Sequence, residues 1–235
     1  MNAGDKIKTK LGAFSFGGST PKKFDKHITK SVPLYDMGQN MICKLSSFFL
    51  DNNSTVYDLG CSTGTLIKKI IEYNKEIKFK AQGIDIEKNM IKEAKKNNRK
   101  KNNVSFKCED LAKVKLKKSD FIVSYYTIQF IKPKHRQLIF DKIYKSLNWG
   151  GAFVLFEKVR GPDARFQDLM TQIYNEYKKD IGYNETHIYN KSLSLRGVLE
   201  PYTTKANIDF LKRTGFTDIT PVMKYSCFEG LLAIK

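Results

Sequence analysis

The sequence predicts an α/β fold, in which a mostly parallel, seven-stranded sheet is doubly wound with helices and carries a helical cover. Three observations predict it. Short apolar segments alternate with amphipathic helical segments, as in right-handed βαβ units. A turn rich in glycine joins the first of these strands to its helix. Two closely spaced apolar segments near the C-terminus indicate an antiparallel hairpin that closes the sheet.

The periodicity of apolar residues predicts each element in turn. A short amphipathic helix is expected at 40–50. The predicted strands are 56–59, 79–84, 104–107, 121–125 and 152–156, followed by apolar segments around 219–223 and 228–234. The predicted helices are 65–73, 87–98, 133–147, 163–179, 185–199 and one near 205–215. Pro133 is suited to open its helix, and Gly150 with Gly151 is expected to end it.

These elements predict one domain. Residues 21–235 are expected to form a single α/β unit, with a helical insertion at about 160–200 because no strand separates the two helices there. An insertion that follows a strand end usually covers the active site. Residues 1–20 have no clear period and are predicted to be a mobile N-terminal leader.

Composition narrows the class of protein. The chain of 235 residues is 41% hydrophobic, which is enough for a core and argues against global disorder. Four cysteines lie far apart, and three histidines are scattered, so neither a disulfide framework nor a metal site is predicted. Reduced thiols and the lack of a long apolar run predict a cytoplasmic protein without a membrane span.

The net charge of +18 raises the question of nucleic acid binding. The lysines are spread over many segments, and no aromatic residues are interleaved with them as stacking platforms. This diffuse pattern favours a lysine-rich surface, and direct nucleic acid binding stays open as the less favoured reading.

The segment STVYDLGCSTGTLIKKI, at 54–70, holds the first candidate site. Its first glycine, Gly60, and its second, Gly64, leave space for a ligand to approach the backbone at the start of a helix, where free N–H groups attract a carboxylate. The spacing matches neither the dinucleotide fingerprint nor the phosphate loop. A carboxyl end of a strand is also where open α/β sheets bind ligands.

Acidic residues follow the next two strands. Asp85 ends the second strand, 25 residues after Gly60, where a carboxylate can accept both hydroxyl groups of a ribose. Asp110 ends the third strand and can accept the amino group of an adenine. Each acid alone is typical of a helix cap or a solvated loop. Together with the glycine turn, they predict a nucleoside site without a phosphate.

This pattern resembles the class I S-adenosylmethionine-dependent methyltransferases, and further motifs resemble one family among them, the carboxy-S-adenosylmethionine synthases. The matching motifs are KSVPLY (30–35), VYDLGCSTG (56–64), YTIQFI (126–131), RQLIFDKIYKSLNWGGAFVLFEK (136–158) and GYNETHIYNKSLSL (182–195). The resemblance runs from about Phe24 to the C-terminus. It implies a Rossmann-like class I methyltransferase fold and a homodimer.

The resemblance also implies an activity and a set of site residues. That family carboxylates the methyl group of S-adenosylmethionine for tRNA wobble-uridine 5-oxyacetate modification, with prephenate as the carboxyl source and a sulfonium ylide as the nucleophile. Aromatic residues, which suit a sulfonium cation, would wall the ligand. The implied cofactor-binding residues are Tyr35, Asp58, Gly60, Cys61, Ser62, Gly64, Asp85, Ile86, Asp110, Leu111 and Tyr125.

Two departures from the family pattern leave the reaction open. Tyr125 stands where the family has Asn, and Ser192 stands where the family has an Arg that binds the added carboxylate. Arg196 lies four residues further on and is expected to supply that charge from the same helix face. Tyr35, Tyr125 and Arg196 are therefore the candidate catalytic residues. A conventional methyltransferase acting on a small molecule or RNA, and a non-catalytic ligand-binding or RNA-binding homologue, are the alternatives.

Overall fold

The protein folds around one seven-stranded sheet in the order β3-β2-β1-β4-β5-β7-β6. The computed structural model describes residues 2–5, 10–14, 16 and 21–235. Strands β1 to β5 pair in parallel, and β7 pairs antiparallel with both β5 and β6. The predicted fold class, including the antiparallel C-terminal hairpin, is confirmed.

The bounds of the elements lie close to the expected ones for most of the chain. The strands are β1 (Thr55–Leu59), β2 (Lys80–Asp85), β3 (Val104–Cys108), β4 (Ser119–Tyr125), β5 (Leu147–Lys158), β6 (Asp218–Tyr225) and β7 (Phe228–Ile234). The helices in the described residues are α1 (Phe24–Ser31), α2 (Tyr35–Ser46), α3 (Thr65–Tyr73), α4 (Lys88–Asn97), α5 (Pro133–Ser146), α6 (Ala164–Asp180), α7 (Glu185–Ser194) and α8 (Thr204–Thr214).

Three expectations are wrong in detail. The helix expected at 40–50 begins earlier, at Tyr35, and is preceded by the short helix α1. Gly150 and Gly151 do not end a helix, because β5 already begins at Leu147 and includes them. The helix expected over 185–199 ends at Ser194. This last difference matters for the site, because Arg196 lies beyond the end of the helix.

Apolar side chains pack on both faces of the sheet. On one face, Val56, Ile67 and Phe121 belong to a buried cluster that joins β1, α3 and β4. On the other, Leu59, Phe140 and Leu211 belong to a second cluster that joins β1 to α5 and α8. The central strands are therefore buried on both faces, which explains why they appear in the sequence as continuous apolar runs.

The described part of the N-terminal segment lies against the helical cover. The backbone N–H groups of Gly12 and Phe14 donate to the carbonyl oxygens of Leu193 and Ser194, at 3.0 and 3.1 Å. Ala3 is buried. The rest of the predicted mobile leader, at 1, 6–9, 15 and 17–20, lies outside the described residues. No helix in the described ranges is long and apolar enough to cross a membrane.

Candidate functional site

A cavity of about 660 Å³ lies at the carboxyl ends of the central strands. The strand order reverses between β1 and β4, and in open α/β sheets this is the place where ligands bind. Every residue predicted to bind the cofactor lines the cavity except Gly64: Tyr35, Asp58, Gly60, Cys61, Ser62, Asp85, Ile86, Asp110, Leu111 and Tyr125. Strand ends that lie far apart in the sequence therefore meet at one cavity, together with residues that the family resemblance implied.

The two glycines of the turn are required by contacts within the protein as well as by any ligand. Gly60 has a φ of +86°, and a Cβ there would lie 2.0 Å from Oγ1 of Thr127. Gly64 has a φ of +73°, and its Cβ would lie 2.8 Å from Nδ2 of Asn98. The expectation that both glycines make room for a ligand is thus incomplete, because protein atoms occupy the space that a side chain would need.

Asp85 fixes the glycine turn and faces the cavity at the same time. Its Oδ2 accepts the backbone N–H of Ser62, and its Oδ1 accepts that of Glu87, both at 2.9 Å. Burial raises the pKa of Asp85, and the backbone hydrogen bonds oppose this rise. Asp110 accepts the backbone N–H of Ala112 through Oδ1 at 2.8 Å. Each acid keeps lone pairs for a ligand, since a carboxylate can accept about four hydrogen bonds.

Among the acids that line the cavity, Asp58 shows the clearest sign of a missing partner. It is only 1% exposed, and its Oδ2 has no hydrogen-bond partner among the described residues. Burial, together with the charge of Asp85, raises the pKa of Asp58 to about 8. A buried carboxyl of this kind is suited to a cationic ligand group, which would stabilise its ionised form. S-adenosylmethionine carries a sulfonium and an ammonium group, so this residue fits that cofactor.

Aromatic rings form one wall of the cavity. The ring centroid of Tyr125 lies 4.9 Å from that of Tyr35 and 4.7 Å from that of Tyr126. The Tyr125 hydroxyl donates to the backbone carbonyl of Tyr35 at 2.5 Å. Tyr126 has a φ of +59°, which is unusual for a bulky residue and is often found at functional sites. Such a wall suits a sulfonium cation.

Four lysines line the cavity as well, namely Lys132, Lys158, Lys178 and Lys191. Of the last three, only Lys158 was expected from the sequence as a candidate substrate contact, because it follows the apolar segment of the fifth strand. Lys158 ends β5, Lys178 belongs to α6 and Lys191 to α7. The Nζ atoms of Lys158 and Lys178 lie 4.6 and 4.2 Å from the centroid of the Tyr174 ring. None of the three has a carboxylate within ion-pair distance in the described residues.

The pKa values of these lysines reflect their crowding. Burial, followed by the charge of Lys158, lowers the pKa of Lys178 to about 8. Burial, followed by the charge of Lys178, lowers the pKa of Lys191 to about 7. Burial also lowers the pKa of Lys158. Like charges that are held together in a partly dry cavity are costly without a counterion. We call Lys158, Lys178 and Lys191 the lysine cluster. Its charges favour the binding of an anion.

The structure corrects the role expected of Arg196. It lies beyond the end of α7, its side chain is exposed, and it does not line the cavity. Helix phase does not bring Arg196 to the cavity, because the helix does not continue past Ser194. Ser192 does line the cavity, but its hydroxyl donates to the carbonyl of Tyr189 at 2.8 Å. The cationic side chains at the site are the lysines instead.

The N-terminal segment and α1 also contribute residues that the sequence did not point to. Phe14, Phe16, His27 and Ser31 line the cavity. The ring of Phe16 packs edge-on against Phe130, with centroids 4.9 Å apart. Their signal in the sequence is weak, because contacts between residues this far apart leave no local period. In the described residues, no three His, Cys, Asp or Glu side chains are grouped so as to hold a metal ion.

Comparison with known proteins identifies the family of the chain. The methyltransferase domain family matches residues 56–151, which contain all but the first residue of β1, the whole of β2 to β4, and the acids Asp58, Asp85 and Asp110. The chain is 37% identical to the carboxy-S-adenosyl-L-methionine synthase of Campylobacter lari over 223 residues, which cover 94% of each protein. It is 35% identical to the enzyme of the same name from Staphylococcus epidermidis, over 92% of this chain and 94% of that one.

Solved structures show the same fold at low sequence identity. Human N-acetylserotonin methyltransferase in complex with S-adenosylmethionine superposes with a TM-score of 0.63 and 16% identity. The match covers 92% of this chain, which spans 56% of that enzyme. The class I methyltransferase fold is confirmed, and the predicted resemblance to a particular family within it is confirmed by the sequence relatives.

Proposed function

The chain belongs to the carboxy-S-adenosyl-L-methionine synthase family, and from this premise we propose that it transfers a carboxyl group from prephenate to the methyl group of S-adenosylmethionine. The observation that carries the proposal is that one part of the cavity is lined by acidic residues and another by lysines. Acidic residues at the strand ends suit the cationic nucleoside cofactor. The lysine cluster suits a carboxylate, which an ordinary methyl transfer does not need.

The cofactor residues have separate tasks in this proposal. Asp85 accepts the ribose hydroxyls, while Asp110 and Leu111 bind the adenine. Asp58 balances the positive charge of the methionine part. The rings of Tyr35 and Tyr125 pack against each other and would lie beside the sulfonium, where their faces stabilise its positive charge next to the reacting methyl group. In the net reaction, the methyl carbon of S-adenosylmethionine would exchange one proton for CO₂, while prephenate would lose CO₂ and hydroxide to become phenylpyruvate, so that proton and hydroxide leave as water.

The lysine cluster binds the anionic partner. Prephenate has two carboxylates, and their charges would offset the repulsion among the three ammonium groups. Lys191 is the nearest of these cations along the chain to Ser192, where the family has Arg. We assign to Lys191 the role that the sequence analysis gave to Arg196, because Lys191 lines the cavity and Arg196 does not.

Conventional methyl transfer is the second candidate. It is favoured by Ser192 and Tyr125, since both depart from the pattern of the carboxylating enzymes. In that case the lysine cluster would bind an anionic methyl acceptor. The two functions differ in their product: one gives S-adenosylmethionine enlarged by CO₂, and the other gives S-adenosylhomocysteine.

The test is a reaction with S-adenosylmethionine and prephenate, followed by mass spectrometry of the nucleosides. We expect a product heavier than the cofactor by one CO₂. The Lys191→Met variant should lose at least about tenfold in rate, because a charge-assisted hydrogen bond contributes about 1.5–3 kcal/mol. The matched control, Arg196→Leu, removes a nearby exposed cation and should keep nearly full activity. Full activity in Lys191→Met would contradict the assignment.

Three further features of the family belong to the proposal. We place the protein in the cytoplasm, in the tRNA wobble-uridine pathway, and as a homodimer. An apolar stripe on α6 supports the dimer, since Phe166, Leu169 and Ile173 share one face and are 47%, 50% and 46% exposed. Sedimentation at micromolar concentration should give twice the mass of 27.1 kDa, and a monomer would count against the dimer.

A further inference from the structure

A buried histidine connects the N-terminal segment to the lysine cluster. His27 is 3% exposed and has a partner at each ring nitrogen. Its Nδ1 lies 2.7 Å from Oδ2 of Asp5, and its Nε2 lies 2.9 Å from Nζ of Lys191. Asp5 also accepts a hydrogen bond from the hydroxyl of Tyr183. The chain Asp5–His27–Lys191 thus joins residues that are 22 and 164 positions apart.

The hydrogen bonds determine which atom carries each proton. The pKa of Asp5 is lowered: burial acts to raise it, but the hydrogen bonds from Tyr183 and His27 outweigh this effect. An ionised Asp5 only accepts, so Nδ1 of His27 carries the proton and Nε2 is free to accept from Lys191. Burial, followed by the charge of Lys191, lowers the pKa of His27 to about 4, which keeps the ring neutral.

Two of the three N–H donors of Lys191 are then engaged. One donates to His27, and a second donates to Oγ of Ser31 at 2.6 Å. The third has no hydrogen-bond acceptor in the part of the chain that the structure describes. Because Lys191 lines the cavity, this third donor is available to a ligand there. Two fixed donors hold the ammonium in one place, which lowers the entropy lost when a ligand binds.

We propose that Asp5 and His27 are positioning residues for Lys191, which hold its ammonium group in the cavity for an anionic co-substrate. The N-terminal segment is therefore part of the functional site. This inference rests on the proposed function, in which the lysine cluster binds a dicarboxylate. Asp5 acts through His27 and through its charge, without touching the ligand.

The charges around Lys191 predict a pH signature. Asp5 acts to raise the pKa of Lys191, while Lys178 and Lys158 act to lower it. Two neutral groups complete the surroundings: His27 on α1, which contacts Lys191, and Tyr183 between α6 and α7, which contacts His27. One more cation, Lys30 of α1, lies with its Nζ 3.5 Å from Oδ1 of Asp5. Lys191 binds an anion in its charged form, so affinity should fall as pH rises through its pKa, which is about 7.

Two variants should move the pH at which anion affinity falls, and they should move it in opposite directions. Asp5→Asn removes a negative charge, so the pKa of Lys191 falls and anion affinity is lost at lower pH than in the wild type. Lys178→Met removes a positive charge, so the pKa rises and the loss moves to higher pH, although the affinity itself is weaker. A purely structural role for Asp5 would weaken binding equally at every pH.

The experiment is calorimetric titration of prephenate into protein saturated with S-adenosylhomocysteine, from pH 6 to 9, which avoids turnover. We expect Asp5→Asn to bind prephenate more weakly than the wild type at both ends of the range: by a small factor at pH 6, where only positioning is lost, and severalfold more at pH 8, where the charge of Lys191 is lost as well. Asp209→Asn is the matched control, because it removes an exposed carboxylate on α8 and should leave the profile unchanged.

The possible outcomes distinguish a failure of the positioning role from a failure of the proposed function. Unchanged pH profiles in Asp5→Asn and Lys178→Met, with both proteins folded, would overturn the positioning role. The same conclusion follows if both shifts have the same sign. A wild type that fails to bind S-adenosylhomocysteine would overturn the proposed function, whereas one that binds it but not prephenate would overturn the anion site alone.

Discussion

Binding of S-adenosylmethionine should release a proton from Asp58. This carboxyl is buried, and one of its oxygens has no partner among the described residues. With its pKa raised to about 8, it is about 90% protonated at pH 7 in the ligand-free protein. The sulfonium and ammonium groups of the cofactor favour the carboxylate, so binding shifts the equilibrium toward the ionised form.

The expected size of the effect follows from that pKa. A full shift to the carboxylate releases about 0.9 of a proton per bound cofactor at pH 7, and only about 0.1 at pH 9. Calorimetry in buffers that differ in ionisation enthalpy measures this number directly. The Asp58→Asn variant, which has nothing to ionise at this position, is the control. A binding enthalpy that is the same in every buffer at pH 7 would refute the assignment of Asp58.

The same carboxyl links stability to pH. Its pKa is raised to about 8 in the folded protein, from the value of about 3.9 that an aspartate has in an unfolded chain, so the folded state binds more protons between about pH 4 and pH 8. The contribution of Asp58 to the free energy of unfolding should therefore fall as pH rises through this window. Ligand-free Asp58→Asn should gain stability over the wild type toward pH 8, and urea unfolding at pH 5 and pH 8 would test this.

Two further substitutions test the strand ends. Asp85→Asn should lower the affinity for S-adenosylmethionine by about 1–3 kcal/mol, or about 5- to 150-fold. The reason is that the single amide oxygen of Asn cannot accept from both backbone N–H groups and from the ribose. Unchanged affinity in calorimetry would contradict the ribose assignment. Gly60→Ala should destabilise the fold by at least about 2 kcal/mol in urea unfolding, because the positive φ and the contact with Thr127 both oppose a side chain. Gly150→Ala, at a φ of +76° with open space around it, should lose only the conformational part, and equal losses in the two variants would contradict the steric argument.

The sequence predicted those parts of the site that follow from local patterns. Helix α3 has the predicted bounds, because Gly64 before it and the apolar period within it are both local signals. Asp85 and Asp110 were found by their position after apolar strands. A parallel sheet brings such positions to one edge, so the acidic half of the cavity could be predicted without knowing any side-chain contact.

The cationic half depends on contacts that leave no local signal. Lys178 and Lys191 come from two different helices, and the sequence contains 42 Lys and Arg residues among which they do not stand out. Lys158 is marked in the sequence only by its place at the end of an apolar strand. The connection from Asp5 to His27 likewise joins the N-terminal segment to α1, and the two share no sequence period. Arg196 was placed at the site only by extending α7 past the residue at which it ends.

The ligand that copurifies with the protein tests the central claim most directly. Protein expressed in cells that contain both S-adenosylmethionine and prephenate should be isolated without added nucleoside, denatured, and analysed by mass spectrometry. We predict a nucleoside whose mass equals that of S-adenosylmethionine plus CO₂. Recovery of S-adenosylhomocysteine alone would contradict carboxyl transfer and favour conventional methyl transfer on the same fold.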